Sequence, residues 1–233
     1  TPVPPIDSVT VVYDSSLITD IRPTQLIVSV NTHDPPGVRN YYRWTASGYV
    51  PRKSWGDTCN IFVIIPCRDP FDCSCGALCE QFLKYNPVNV FSDQFIDGNS
   101  IVLPVFYSPV YWFGKHFIEI KQYSLSREAD EFWQQYLDQT NRTGSILDPL
   151  PASLAGNLHN QSDARDIALG FFSASDVFTK KLVIVPFFLQ QYWLVSTAGA
   201  YVKEGQCELV YPNTLPNNAD APGWEHAQTI EMH

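Results

Sequence analysis

The chain has 233 residues, 45% of them hydrophobic and only 17% charged, a composition that supports a folded core and excludes intrinsic disorder. Its formal net charge of −9, with no basic run anywhere, excludes nucleic-acid binding, which needs clustered Lys and Arg opposite the phosphates. Aromatic residues reach 14%, which fits strand-forming core residues or a stacking surface for sugars and other flat ligands.

Residues 1–8 read as an extended connector, since Pro2, Pro4 and Pro5 each fix φ and remove a donor. Short β-branched runs predict strands over 9–13 and 25–31, and a third over 40–47 that ends at a glycine. The next stretch holds five of the six cysteines, Cys59, Cys67, Cys73, Cys75 and Cys79, with Cys207 far downstream. An even count in an exported chain favours disulfides. Cys73 and Cys75 are too close to pair without strain. The metal alternative needs ligand spacing that C-x-C-x3-C does not provide. The six are therefore assigned to a disulfide-rich loop, with no metal and no cofactor.

A short helix is predicted over 72–85 through Leu78, Phe82 and Leu83, followed by strands over 88–91, 101–107 and 111–123. In the last, His116, Ile118, Ile120 and Gln122 share one face, and Phe117, Glu119, Lys121 and Tyr123 the other. One amphipathic helix stands out at about 126–141. Ser126 is placed to cap it, Glu128, Asp130 and Glu131 sit at its positive end, and Gly144 can stop it. Ala129, Phe132, Trp133, Tyr136 and Leu137 form its apolar stripe. Two large aromatics on one turn need a broad surface to bury them, so this helix is expected to lie on a sheet. Further strands are predicted over 168–175, 181–187 and 192–196, and residues 211–233 read as a turn-rich irregular strap. The expected fold is mainly β: a β-sandwich over 9–210 with one inserted helix.

Motifs for chemistry are missing. The sequence has no G-x-S-x-G elbow, no H-E-x-x-H, no phosphate loop and no G-x-G-x-x-G. His33-Asp34 reads as a turn, His116 as a hydrogen-bonded strand residue and His159 as a loop residue. Asp93, Asp97 and Asn99 offer oxygen ligands, but their spacing is not that of an EF-hand and a hydrogen-bonded turn is the simpler reading. No catalytic residue is assigned. Two aromatic groups are the candidates for contact with a partner or ligand: Tyr107, Tyr111, Trp112 and Phe113 around a proline turn, and Tyr41, Tyr42 and Trp44. The competing reading packs both groups into the core.

A family resemblance runs through these elements. The pieces Pro4-Pro5-Ile6-Asp7-Ser8, Ser92-Asp93-Gln94-Phe95-Ile96-Asp97-Gly98-Asn99 and Tyr123-Ser-Leu-Ser126 follow one another in order. Phe132-Trp133, Thr143-Gly144-Ser-Ile-Leu-Asp148-Pro, Gly156-Asn157-Leu and Leu169-Gly170-Phe-Phe-Ser-Ala-Ser175 complete the series. In order and spacing this resembles a family of uncharacterised Bacteroidota outer-membrane lipoproteins, domain of unknown function 4249, whose members accompany TonB-dependent, SusC-like receptors. The resemblance implies an accessory or scaffolding role without enzymatic activity, beside an outer-membrane β-barrel. It also implies a lipid anchor and a small N-terminal β domain lying before Thr1, outside this chain. The alternative class is a secreted carbohydrate-binding module or glycan-active enzyme. Asp7-Ser8-Val9 resembles the short O-glycosylation acceptor of that phylum, which makes Ser8 a candidate for modification.

Overall fold

The computed structural model of the protein describes residues 2–14, 25–55, 77–111, 114–140, 154, 156–158, 160–162, 170–186, 203–204, 211, 213–216 and 223–232. Strands β1 (Ile6–Asp14), β2 (Gln25–His33) and β5 (Ser100–Pro109) form a small antiparallel sheet in the order β1-β2-β5. The larger sheet is built on β3 (Tyr41–Trp55), β4 (Ala77–Ser92), β6 (His116–Ser124) and β7 (Val177–Pro186). Three short strands complete it: β8 (Lys203–Glu204), β9 (Thr214–Pro216) and β10 (Gln228–Met232). Its order is β10-β7-β6-β3-β4-β9, with β8 beside the end of β3.

Period-two burial explains how the layers meet. Leu26, Val28 and Val30 of β2, with Ile101, Val105 and Phe106 of β5, share one core cluster with Tyr42, Trp44 and Ala46 of β3. Ile118, Ile120, Leu182 and Ile184 join the same cluster from β6 and β7. Two sheets enclosing one core is the mainly β, two-layer arrangement expected. On β6 one of the two faces read from the sequence, His116, Ile118, Ile120 and Gln122, is fully buried at every position.

Gln122 and Thr32, buried polar residues of this core, are paired. The Gln122 oxygen accepts from Trp44 Nε1 at 2.8 Å, and its amide donates to the Pro4 carbonyl at 2.9 Å. The Thr32 hydroxyl donates to the Pro5 carbonyl at 2.8 Å. These bonds dock the proline-rich N-terminal segment, and β1 begins at Ile6, so Ile6, Asp7 and Ser8 belong to the sheet rather than to a connector.

Helix α1 (Arg127–Thr140) follows β6 directly. Ser126 Oγ accepts from the Ala129 N–H at 3.2 Å, which caps it as expected. Ala129 and Phe132 are buried, Phe132 stacks on Phe171 at 5.3 Å, and the Arg43 guanidinium of β3 lies 3.7 Å over the Trp133 ring. The helix therefore lies on the large sheet, on the face away from the core. Phe171 is held by a local lock. Asn157 Nδ2 donates to the Phe172 carbonyl and Asn157 Oδ1 accepts from the Phe172 N–H, both at 2.7 Å. A Cβ on Gly156 would sit 1.8 Å from the Gly170 carbonyl oxygen, so only glycine permits this approach.

Three further expectations are revised. The helix predicted over 72–85 is overturned, because Ala77–Ser92 is strand β4; the helical spacing of Leu78, Phe82 and Leu83 yields to pairing with β3. Its register jumps from Trp44↔Asn89 to Ala46↔Tyr85, leaving Asn86, Pro87 and Val88 opposite Thr45 alone. Proline has no N–H to give a ladder, which accounts for the bulge. Residues 170–175, predicted as strand, form none. The tail expected as an irregular strap contributes β9 and β10, which pair with β4 and β7. Cys79 is fully buried and disulfide-bonded. Cys59, Cys67, Cys73, Cys75 and Cys207, and with them the body of the disulfide-rich loop, lie outside the described residues, as do 168–169 and 192–196. No described helix is long and apolar enough to cross a membrane.

Candidate functional site: a cationic, aromatic cleft on the outer sheet face

On β3 the side chains that alternate with the core set point outward: Arg43, Thr45, Ser47 and Tyr49. Each is paired across to β6, in the order Tyr123, Lys121, Glu119 and Phe117. The outward set of β6 is the second face read from the sequence, Phe117, Glu119, Lys121 and Tyr123. With Lys84, Tyr85 and Val88 of β4 and Trp133 and Tyr136 of α1, most of these residues line a cleft of about 560 Å³. That volume lies within the range of small-ligand sites.

One end of the same face is closed by rings. Trp224 packs edge-on against Tyr49 at 5.9 Å and Phe117 at 6.2 Å, and Tyr49 meets Phe82 at 5.2 Å. Lys181 lies 4.7 Å over the Trp224 ring. Trp224 thus covers the Tyr49–Phe117 end of this face, while α1 supplies Trp133 and Tyr136 to the cleft.

The charge balance inside is unusual for so acidic a chain. Three cations, Arg43, Lys84 and Lys121, face a single carboxylate, Glu119. Glu119 is already paired with Lys121 at 3.1 Å and Lys181 at 3.8 Å. Arg43 has no ion-pair partner among the described residues, and its buried Nε lacks a hydrogen-bond partner there. Burial lowers its pKa, yet a guanidinium stays protonated in proteins, so a half-desolvated positive charge faces the cleft.

The residues named from sequence fall elsewhere. Tyr42 and Trp44 are 1% and 0% exposed, which corrects their assignment as contact residues: their side of β3 faces the small sheet. Tyr41 is half-buried. Tyr107 is half-buried against Tyr85 at 6.0 Å, and the Arg52 guanidinium covers the Tyr111 ring at 3.1 Å. Trp112 and Phe113 lie outside the described residues, as does His159. Ser8 is exposed on the edge strand β1. Among the described residues, the two aromatic groups do not form one patch. The cleft residues Arg43, Lys84, Glu119, Lys121, Trp133 and Tyr136 went unassigned in the sequence; the alternation of 116–123 and the helix stripe were the available signals.

Other polar clusters serve the fold. Ser108 and His116 are fully buried and 2.9 Å apart, and burial drops His116 to about 3, so it is a neutral core residue. Asp34, Asp93 and Asp97 place carboxylate oxygens within 4.8 Å of one another. Asp34 accepts from the Tyr42 hydroxyl at 2.6 Å, Asn40 Nδ2 at 3.2 Å and the Gly98 N–H at 3.1 Å. Asp93 accepts from the Asn40 N–H and Asp97 from the Gly37 N–H. These bonds tie two loops together, extending the hydrogen-bonded turn expected for Asp93 and Asp97. Burial, with Asp34 alongside, raises the Asp93 pKa.

Glu80 gives a pH prediction. It is 5% exposed, its Oε2 has no hydrogen-bond partner among the described residues, and burial pushes its carboxyl up to about 8. A carboxyl whose folded pKa exceeds its unfolded one stabilises fully below the unfolded value, near 4.5, and loses that contribution as pH rises through about 8. Glu80→Gln is therefore expected to leave stability at acid pH little changed and to raise it by ~1–3 kcal/mol at alkaline pH. Urea melts at both pH values check this; equal effects at both would contradict it.

Neither curated proteins nor solved structures match the chain. The family described as Domain of unknown function (DUF4249) matches residues 1–181, most of the chain and all of the strands and the helix that build the cleft, and the protein belongs to that family.

Proposed function

We propose that the protein is a non-enzymatic binding or scaffolding subunit, a lipid-anchored lipoprotein of a Bacteroidota outer-membrane assembly, partnering a TonB-dependent, SusC-like β-barrel receptor. The observation that carries the binding role is the outer-face cleft, where aromatic residues and a guanidinium with no ion-pair partner among the described residues stand on the large sheet. A preformed concave site with few convergent polar groups is the usual form of a ligand site. The pairs with catalytic residue types, Ser108–His116 and the Asp34 cluster, are held in the core or in loop-tying bonds. The outer-membrane setting and the receptor rest on the resemblance of the ordered motifs from Pro4 to Ser175. In this reading the cysteine-rich stretch is a disulfide-stapled loop suited to an oxidising compartment.

Gentle purification of the full-length protein from its native outer membrane, with mass spectrometry of what accompanies it, tests the reading. A stoichiometric β-barrel receptor is the expected companion. A lone monomer would overturn the accessory role.

A further inference from the structure

The cleft also carries an inference about its ligand, resting on the binding role just proposed. A charge withdrawn from water needs a counter-charge or strong hydrogen bonds, because the residual desolvation cost amounts to several kcal/mol per ion. Arg43 has neither within the described chain: no carboxylate pairs with it and its Nε is buried without an acceptor. What holds it is the Trp133 ring, 3.7 Å away. A cation–π contact fixes the plane of the guanidinium while leaving its two Nη groups without a protein acceptor among the described residues, an arrangement suited to a bidentate carboxylate or similar oxyanion.

The surroundings narrow the ligand further. Lys84 is exposed at the cleft and has no ion-pair partner among the described residues, and Lys121 adds a second ammonium. The one carboxylate, Glu119, is shared between Lys121 and Lys181, so it offsets little of the positive field. The Tyr85 ring turns to Phe106 and Tyr107 of the small sheet, while three aromatic residues that face outward line the same space: Tyr123, Trp133 and Tyr136, the last 38% exposed. Thr45 and Ser47 place hydroxyls on its floor. Cations, rings and hydroxyls in one concavity match a ligand that is anionic, ring-shaped and hydroxyl-bearing. A bare inorganic anion would leave the rings unused, and a neutral sugar would leave Arg43 unpaired.

We propose that the cleft between α1 and the outer face of β3, β4 and β6 binds an acidic saccharide, with Arg43 and Lys84 on its carboxylate and the aromatic rings against its sugar faces. The whole chain is titrated calorimetrically with oligogalacturonate, with neutral cello-oligosaccharide of the same length, with tetraglutamate and with sulfate. Binding of the oligogalacturonate alone, weakened by raising salt from about 50 to about 500 mM, is the expected result. Arg43→Gln should weaken it about tenfold or more. Because Arg43 is partly packed, Lys84→Gln, at an exposed position, serves as the second variant and should weaken binding severalfold with an unchanged thermal melt. Equal affinity for the neutral sugar, preference for the acidic peptide, response to sulfate alone or no binding at all would each overturn the proposal. A receptor that co-purifies while the cleft binds no acidic sugar would sink this inference and leave the accessory role standing.

Discussion

Trp44→Ala is expected to cost ~3–5 kcal/mol, a large share of the ~5–15 kcal/mol that holds a typical domain together. Trp44 is fully buried at the centre of the shared core, with Tyr42 5.9 Å away. Truncation removes the largest side chain between the sheets, and the surrounding β-branched residues cannot collapse far enough to fill the void. It also takes the donor from Gln122 Oε1, which is buried with it. The two losses separate by substitution. Trp44→Phe keeps most of the volume but leaves that oxygen unpaired, so it should cost ~1–3 kcal/mol. Urea denaturation under non-reducing conditions measures both. Tyr136→Ala, at an exposed helix position, should stay within ~1 kcal/mol and is the control. A Trp44→Ala protein as stable as the parent would mean that β3 presents its other face to the core.

Gly48→Ala is the second large effect, and it arises from the backbone. The position needs no unusual φ; what excludes a side chain is proximity. A Cβ there would lie 2.0 Å from the Phe117 carbonyl oxygen and 3.1 Å from the Ile118 Cα. Gly48 pairs with Ile118 in the β3–β6 ladder, so relief requires the two central strands of the large sheet to part. A flexible side chain could swing away, but a carbonyl tied into a ladder cannot. The expected cost is ~2–3 kcal/mol, the upper range for overpacking. Ser47→Ala, one residue away on the outer face, should fall within ~0.5 kcal/mol. The damage should also reach function, since Glu119 and Lys121 ride on β6 opposite Ser47 and Thr45.

These two positions show which features were legible in the sequence. The two faces of 116–123 were readable because His116, Ile118, Ile120 and Gln122 recur at every second position, while the alternate positions carry Glu119 and Lys121. The helix was readable from local signals, a capping serine and a 3.6-residue stripe. Residues 41–44 were ambiguous because Tyr41, Tyr42, Arg43 and Trp44 suit either face, and a one-residue slip exchanges them. Only pairing with β4 and β6 settles that Tyr42 and Trp44 point inward and Arg43 outward. Strand β4 was obscured by apolar residues at helical spacing and by Pro87, which interrupts the ladder with a bulge. The cleft was the least legible feature. Its lining comes from β3, β4, β6 and α1, and no local pattern reports that these outward side chains converge. Asp34 joins Asp93 and Asp97 in the same way, through loops distant in the chain.

The most direct test of the account asks which face of the molecule is covered when it works. Hydroxyl-radical footprinting of the protein in the cells that make it, compared with the purified chain, reads this residue by residue. Protection is expected at Tyr136, Trp133 and Lys84 on the outer face of the large sheet, while exposed Val12 and Val102 of the small sheet react as in the isolated protein. Protection confined to Val12 and Val102, with the cleft residues unchanged, would contradict the assignment of the outer cleft as the binding face.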